Sequence, residues 1–302
     1  MKPWKLLLII MLAAVLIGCM VSPFIYWGMG KIAPSCSIAA SLYERDFHRF
    51  VNRCIMISGV VFLVIWWKPL VRGRPRSLGL ERGPHWKGQL AGGFLFGIVS
   101  LIIFTFIMIL LDARSIYLDS TGKIITGVLS ALITCAIVGF LEEVFFRGFF
   151  MGSIMEKGRV AGAVIISSAF YSILHFFKLK EGPSPEGLDI FAGFKTLGAI
   201  FASYADPLVI LPGFVGLFLL GVVLAMCYIW TGSLYFGIGL HAGLVFIIQA
   251  DGRFLSKGMA MLDKRWLYGG SDYVTGVTGW VFLIVAVFAI RFIITRKGWK
   301  VG

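Results

Sequence analysis

Two adjacent carboxylates stand in the stretch Leu141-Glu142-Glu143-Val144-Phe145-Phe146-Arg147-Gly148, directly after a long apolar run. An ionised side chain in such a span costs roughly 2.5 to 3.5 kcal/mol on the insertion scale before pairing, so each acid needs a partner. Glu143 and Arg147 are four apart, which puts them on one helix face in the favoured order, acid before base. Glu142 is rotated by about 100° and must find a different neighbour. Of the four histidines, His48 and His85 lie in charged loops, whereas His175 and His241 fall in apolar spans like the two acids. One Glu with two His is a recurring set for activating water, either directly as general base or by holding a metal. Each residue taken singly has a plainer reading. The acids can be glue between helices, His175 a packed and hydrogen-bonded ring, and His241 incidental to a packing face made by Gly239 and Gly243. Their joint presence favours chemistry.

The elements carrying these residues must bring them together. Glu156-Lys157-Gly158-Arg159 is a polar, glycine-bearing turn of the kind that joins antiparallel helices. Gly158 lies 16 residues after Glu142 and 17 before His175, so an antiparallel pair would set the two side chains at one height. A helix from Ile124 to Met155 would be about 48 Å long and must tilt or overshoot the bilayer.

A bilayer is required by composition. Of 302 residues, 59% are hydrophobic and 14% charged, and mean hydropathy is +0.91. Too little polar surface remains to cover a soluble globule. The expected fold is all-α, a polytopic bundle of eight spans: Leu6 to Trp27, Phe47 to Trp67, Gly88 to Leu111, Ile124 to Met155, Val160 to Phe177, Leu208 to Trp230, Ser233 to Gln249 and Thr275 to Ile294. Residues 1–302 read as a single integral membrane domain with a motif-bearing core at 124–249. The loop 178–206 starts with Gly, Pro and charge, then shows Phe191, Phe194, Leu197, Phe201 and Tyr204 at helical spacing. It is expected to hold a short interfacial helix, either a gate over a substrate path or a segment lying on lipid.

The net charge of +13 would suggest nucleic acid in a soluble chain. Here Lys and Arg cluster at span ends, above all Lys68, Arg72, Arg74, Arg76, Arg82 and Lys87, so no nucleic-acid partner is expected. The positive-inside rule puts that loop and both termini, the tail with Arg296, Lys297 and Lys300, in the cytoplasm of a protein of the cell membrane. Lys31, Arg45, Arg49 and Arg53 in the first loop oppose this orientation. Cys19, Cys36, Cys54, Cys135 and Cys227 form no CxxC pair, which indicates neither a disulfide framework nor a thiolate zinc site. Leu16-Ile17-Gly18-Cys19 resembles a lipoprotein processing site, but the chain stays apolar through Trp27, as an uncleaved first span does.

The motifs resemble those of the CAAX protease and bacteriocin-processing (CPBP, or ABI) group of intramembrane endopeptidases, which includes the type II CAAX prenyl endopeptidases. Glu142, Glu143 and Arg147 match its Glu-Glu-xxx-Arg motif. Tyr171 and His175 meet Phe-xxx-His with Tyr for Phe. His241 meets His-xxx-Asn at its first position only, since the fourth is Val245. Ser77-Leu78-Gly79-Leu80 is also similar to family members. The resemblance implies that Glu142 and His175 activate water, that His241 donates to the oxyanion, and that Glu143 and Arg147 support the first motif helix. Val245 removes one donor, a loss worth about 100- to 1,000-fold in rate if it belongs to the oxyanion hole. Two mechanisms stay open: a metal-independent glutamate mechanism with no cofactor, and a zinc site of Glu142, His175 and His241 with Glu143 as base. Absence of an HExxH segment favours the first. The expected partners are membrane lipids and a peptide or lipidated protein substrate. The rival readings are a proton-coupled transporter, against which the absence of internal repeats speaks, and a non-catalytic scaffold or immunity-type membrane protein.

Overall fold

In lipid every backbone polar group must be satisfied within the protein, which restricts an apolar chain of this kind to helices. The computed structural model describes residues 3–66, 68, 78–155, 159–176, 184–203, 207–270 and 272–299. Arg72, Arg74, Arg76 and Ser77, most of the Glu156–Arg159 turn, Tyr204 and Lys300 lie outside them. In chain order the helices are α1 (Pro3–Ile32), α2 (Ser37–Tyr43), α3 (Phe47–Ile65), α4 (Trp86–Leu110), α5 (Thr121–Glu143), α6 (Gly152–Met155), α7 (Val160–Phe176), α8 (Ala192–Ser203), α9 (Pro207–Thr231), α10 (Tyr235–Asp251), α11 (Met259–Asp263), α12 (Arg265–Tyr268) and α13 (Val277–Arg296). A π-helix, Val144–Met151, joins α5 to α6. Two short strands, β1 (Arg114–Ile116) and β2 (Leu255–Lys257), pair antiparallel.

The protein is an all-α integral membrane protein, and its helices fit the expected polytopic bundle. Six helical segments among the described residues are long and apolar enough to cross a membrane: Lys5–Ser35, Phe47–Ile65, Trp86–Leu110, Thr121–Met155, Ile210–Thr231 and Val277–Arg296. The other two expected spans are shorter, at 17 residues each in α7 and α10. At 1.5 Å per residue these reach about 26 Å, less than the ~30 Å hydrocarbon core. For α10 the reason is visible, because every residue from Phe236 to Leu244 is buried in protein. Such a helix has no lipid thickness to match.

The chain divides into two compact units. The first comprises Met1–Gly73 and Ile173–Val209. Gly18 of α1 lies so close to Ile55 of α3 that a Cβ there would stand 2.5 Å from the Ile55 Cα. Cys19, Tyr26, Phe47, Phe50 and Val51 form the core together with Ala192 of α8. Gly193 rests on the Cys19 carbonyl, so the helix expected in the 178–206 loop is seated against α1, and Cys19 is buried in mid-helix.

The second unit comprises Arg74–Ser172 and Ile210–Gly302. Its centre is α10, held between α4 and α5. Gly93 and Gly97 of α4 face the Phe236 and Leu240 carbonyls, while Gly239 and Gly243 of α10 face the Leu90 and Phe94 carbonyls. Each helix thus presents a glycine pair to the other's backbone, the close approach anticipated at Gly239 and Gly243. On the opposite side, a Cβ on Gly139 of α5 would stand 3.0 Å from the Ala242 nitrogen. The start of α10 is fixed by a loop: the Leu234 N–H donates to Gly79 O at 2.8 Å and the Tyr235 hydroxyl to Leu80 O at 2.8 Å. Gly79 has φ +79°, a left-handed conformation that glycine adopts without strain. At the far end of α10, Arg114 pairs with Asp251 at 3.1 Å, both almost wholly buried. The Arg114 guanidinium lies 4.5 Å over the Tyr273 ring, whose hydroxyl accepts from Thr105 at 3.0 Å. Burial pushes the Tyr273 phenol up to about 12.

Candidate active site

Glu142 and Glu143 are the last two residues of α5, and the π-helix starts at the next residue. A π-helix of eight residues is rare, and such segments mark functional sites more often than chance. The expectation of one straight helix from Ile124 to Met155 misses it, because i→i+5 pairing leaves no period in an apolar run.

Glu143 is 0% exposed and Arg147 1%. Arg147 Nη1 donates to Glu143 Oε1 at 2.8 Å, the ion pair that their spacing predicts. Its Nη2 donates to the Gly221 carbonyl of α9 at 3.1 Å. Gly221 itself packs on Ser168 of α7, where a Cβ would come within 2.9 Å of the Ser168 Cα. The guanidinium also lies 4.7 Å over the Tyr171 ring. One cation thereby joins the π-helix to α7 and α9, with its charge met by a carboxylate and an aromatic face.

The same Glu143 Oε1 lies 3.0 Å from His241 Nδ1 on α10. The i, i+4 spacing predicts only the Arg147 pair, whereas the carboxylate serves both Arg147 and His241. The available signal was Gly237, one turn before His241: a Cβ there would stand 3.2 Å from Glu143 Oε2. The second imidazole nitrogen, Nε2, is 3.8 Å from Glu142 Oε2. That gap is too long for a direct hydrogen bond, and an oxygen lying off the line between the two atoms can reach both. Tyr171, fully buried, sets its ring 6.3 Å from the His241 ring, edge to face. Glu142, Glu143, Arg147, Tyr171 and His241 are thus gathered within the second unit. Val245 is half-buried on α10, one turn beyond His241, and its side chain supplies no polar atom. His175 is half-buried on the last turn of α7, one turn beyond Tyr171, and belongs to the first unit.

The residues from Glu142 to His241 are bracketed by a family model. The model described as Type II CAAX prenyl endopeptidase Rce1-like matches residues 124–247. This segment is similar to the Rce1-like family. The family is one of CAAX-type intramembrane proteases, which are peptide hydrolases. No curated protein and no solved structure matches the chain. The matched segment runs from the start of α5 to the last turns of α10, so it contains the ion pair, the π-helix, His175 and His241.

Zinc in catalytic sites takes three protein ligands and leaves one position open. Among the described residues no group of three His, Cys, Asp or Glu side chains is arranged to hold a metal ion. Glu143 Oε1 is engaged by Arg147 and His241.

Proposed function

We propose that the protein hydrolyses a peptide bond of a membrane-associated or lipid-anchored substrate, at a site reached from the cytoplasmic side of the cell membrane. The observation that carries this reading is the spacing of Glu142 Oε2 and His241 Nε2, 3.8 Å apart beside a buried ion pair inside the Rce1-like segment. Glu142, assisted by His175, takes a proton from water as its oxygen attacks the scissile carbonyl carbon. The carbonyl oxygen becomes an oxyanion in a water-poor site, where fixed donors count most. Glu142 then returns the proton to the leaving nitrogen, the C–N bond breaks, and an acid and an amine remain.

The role of Glu143 follows from hydrogen-bond chemistry. With Glu143 ionised, Nδ1 of His241 carries a hydrogen, which fixes the ring plane and aims Nε2 toward Glu142. Nε2 donates to an oxyanion only when the ring holds both protons; with one proton it accepts instead.

The test is hydrolysis of a quenched peptide library by the purified full chain, beside Glu142→Ala, His175→Ala and His241→Ala. Activity in the parent and losses of about 100-fold or more in each variant are expected. A silent parent, or equal rates in all four proteins, would remove the enzyme reading and leave the scaffold one.

A further inference from the structure

The end of the second unit where α4 finishes carries a surface that its long helices do not account for. Here α4 ends at Leu110, α5 starts at Thr121, α10 ends at Asp251 and α13 starts at Val277. The connections, residues 111–120 and 252–276, are tied to each other and to the bundle. β1 pairs with β2, and Arg114 of β1 pairs with Asp251 at 3.1 Å. The Gly258 N–H donates to Ala113 O at 3.1 Å and the Ala260 N–H to Asp112 O at 3.0 Å. Gly258 packs directly on the Asp112 carbonyl, and Met261 of α11 is buried. One side of α11 is therefore fastened to the protein.

The other side is apolar and uncovered. Met259, Leu262 and Trp266 recur at spacings of three and four, and they are 71%, 62% and 68% exposed. Ile116, Tyr117 and Leu118, at the end of β1 and just after it, are exposed as well. Six large apolar side chains on two paired connections exceed the singly scattered apolar residues of a water-facing loop. The helices that enter this end are lipid-facing. Leu110, Ile125 and Val281, close to the ends of α4, α5 and α13, are exposed on segments long and apolar enough to cross a membrane. The apolar surface of those spans continues into the connections. Charge supplies no competing attraction, because the exposed acids Asp112, Asp263 and Asp272 offset the exposed bases Lys257, Lys264 and Arg265.

We infer that β1, β2, α11 and α12 form a collar lying in the interfacial layer of one membrane leaflet, with Ile116, Met259 and Leu262 among the upper acyl chains and Trp266 at head-group level. Apolar insertion holds it there, with no requirement for an anionic lipid. The collar also sets the depth of the candidate active site. His241 is ten residues before Asp251, at most about 15 Å along α10. With Asp251 at the interface, His241 lies no deeper than the middle of a hydrocarbon core about 30 Å thick.

The test uses the full chain in phosphatidylcholine vesicles. Trp266 is one of nine tryptophans, so its emission is taken as the difference between the parent and Trp266→Phe. Lipid brominated near the head group should quench this difference about threefold more than lipid brominated near the chain end, with little quenching by aqueous acrylamide. The same order should hold when half of the lipid is phosphatidylglycerol. If Trp266→Phe does not fold, Leu262→Trp decides, since its added emission should be quenched by brominated lipid and spared by acrylamide. Quenching by acrylamide at the level of free tryptophan would place the segment in water and overturn the inference. Shielding from both quenchers would assign the face to a protein contact, such as a second copy of the chain, and equally overturn it, as would quenching by brominated lipid that appears only with phosphatidylglycerol.

Discussion

Replacing Arg147 by Met tests the structural heart of the site. The methionine fills a similar apolar volume but removes the 2.8 Å bond to Glu143, the 3.1 Å bond to Gly221 O and the charge over Tyr171. Glu143, 0% exposed, would keep only His241 beside it. Removing one partner of a buried pair costs about 3 to 5 kcal/mol, most of it the uncompensated charge left behind. Removing both partners is far milder, since an apolar pair of similar volume is often neutral. The expected pattern is therefore Arg147→Met destabilised by about 3 to 5 kcal/mol, Glu143→Gln by about 1 to 3, and the double variant recovering at least about 1 kcal/mol relative to their sum. Reversible unfolding in mixed micelles, followed by tryptophan fluorescence, gives the double-mutant cycle. Additive single variants, or an Arg147→Met protein within 1 kcal/mol of the parent, would show that the pair does not hold the π-helix against α7 and α9.

Three further outcomes are expected. Val245→Asn places a side-chain donor one turn beyond His241; on the proposed mechanism kcat for peptide hydrolysis rises by about 10-fold or more, and an unchanged kcat would place the oxyanion elsewhere. Gly239→Val drives a branched side chain into the Leu90 carbonyl, so a loss of about 3 kcal/mol or more is anticipated, with Gly252→Val, which meets nothing within 4 Å, as the unaffected control in the same unfolding assay. Asp119, ahead of α5, accepts from the Ser120 N–H at 2.9 Å and pairs with Arg253 and Lys123, which hold its carboxyl below the usual range. Its stabilising contribution is complete above the ordinary carboxylate pKa near about 4 and disappears as pH falls through the depressed folded value. Asp119→Asn should flatten the acid limb of the stability profile there, and a parallel profile in the variant would contradict this assignment.

The sequence-level features that proved readable were those with a local cause. Apolar runs located α1, α3, α4, α5, α9 and α13 because length and hydropathy are properties of one segment. The i, i+4 spacing of Glu143 and Arg147 needed only helix geometry, and Gly239 with Gly243 signalled a close approach that the Leu90 and Phe94 carbonyls realise. What escaped depended on tertiary partners. That α10 is walled by protein, and so need not span lipid, is decided by α4 and α5, as is the pairing of Glu143 with a histidine 98 residues away. The π-helix escaped for another reason: its phenylalanines, Phe145, Phe146, Phe149 and Phe150, suit an α-helix equally well.

These hidden features are connected. Glu143 Oε1 accepts from Arg147 and faces His241 Nδ1, so one carboxylate oxygen spends both its lone pairs on the two. For that to occur, the residues after Glu143 must turn Arg147 toward Gly221 and Tyr171 while His241 approaches from α10. The π-helix begins at the residue that permits this, and Gly237 removes the side chain that would block it. Stability and proposed chemistry therefore share an atom. Glu143→Gln should lower the hydrolytic rate by at least about tenfold through a misdirected His241 even where the fold survives. Arg147→Met lowers stability first, and its rate loss should be smaller at a temperature where the variant remains folded. The opposite order of effects would mean that Glu143 serves the fold alone and that His241 is aimed by some other group.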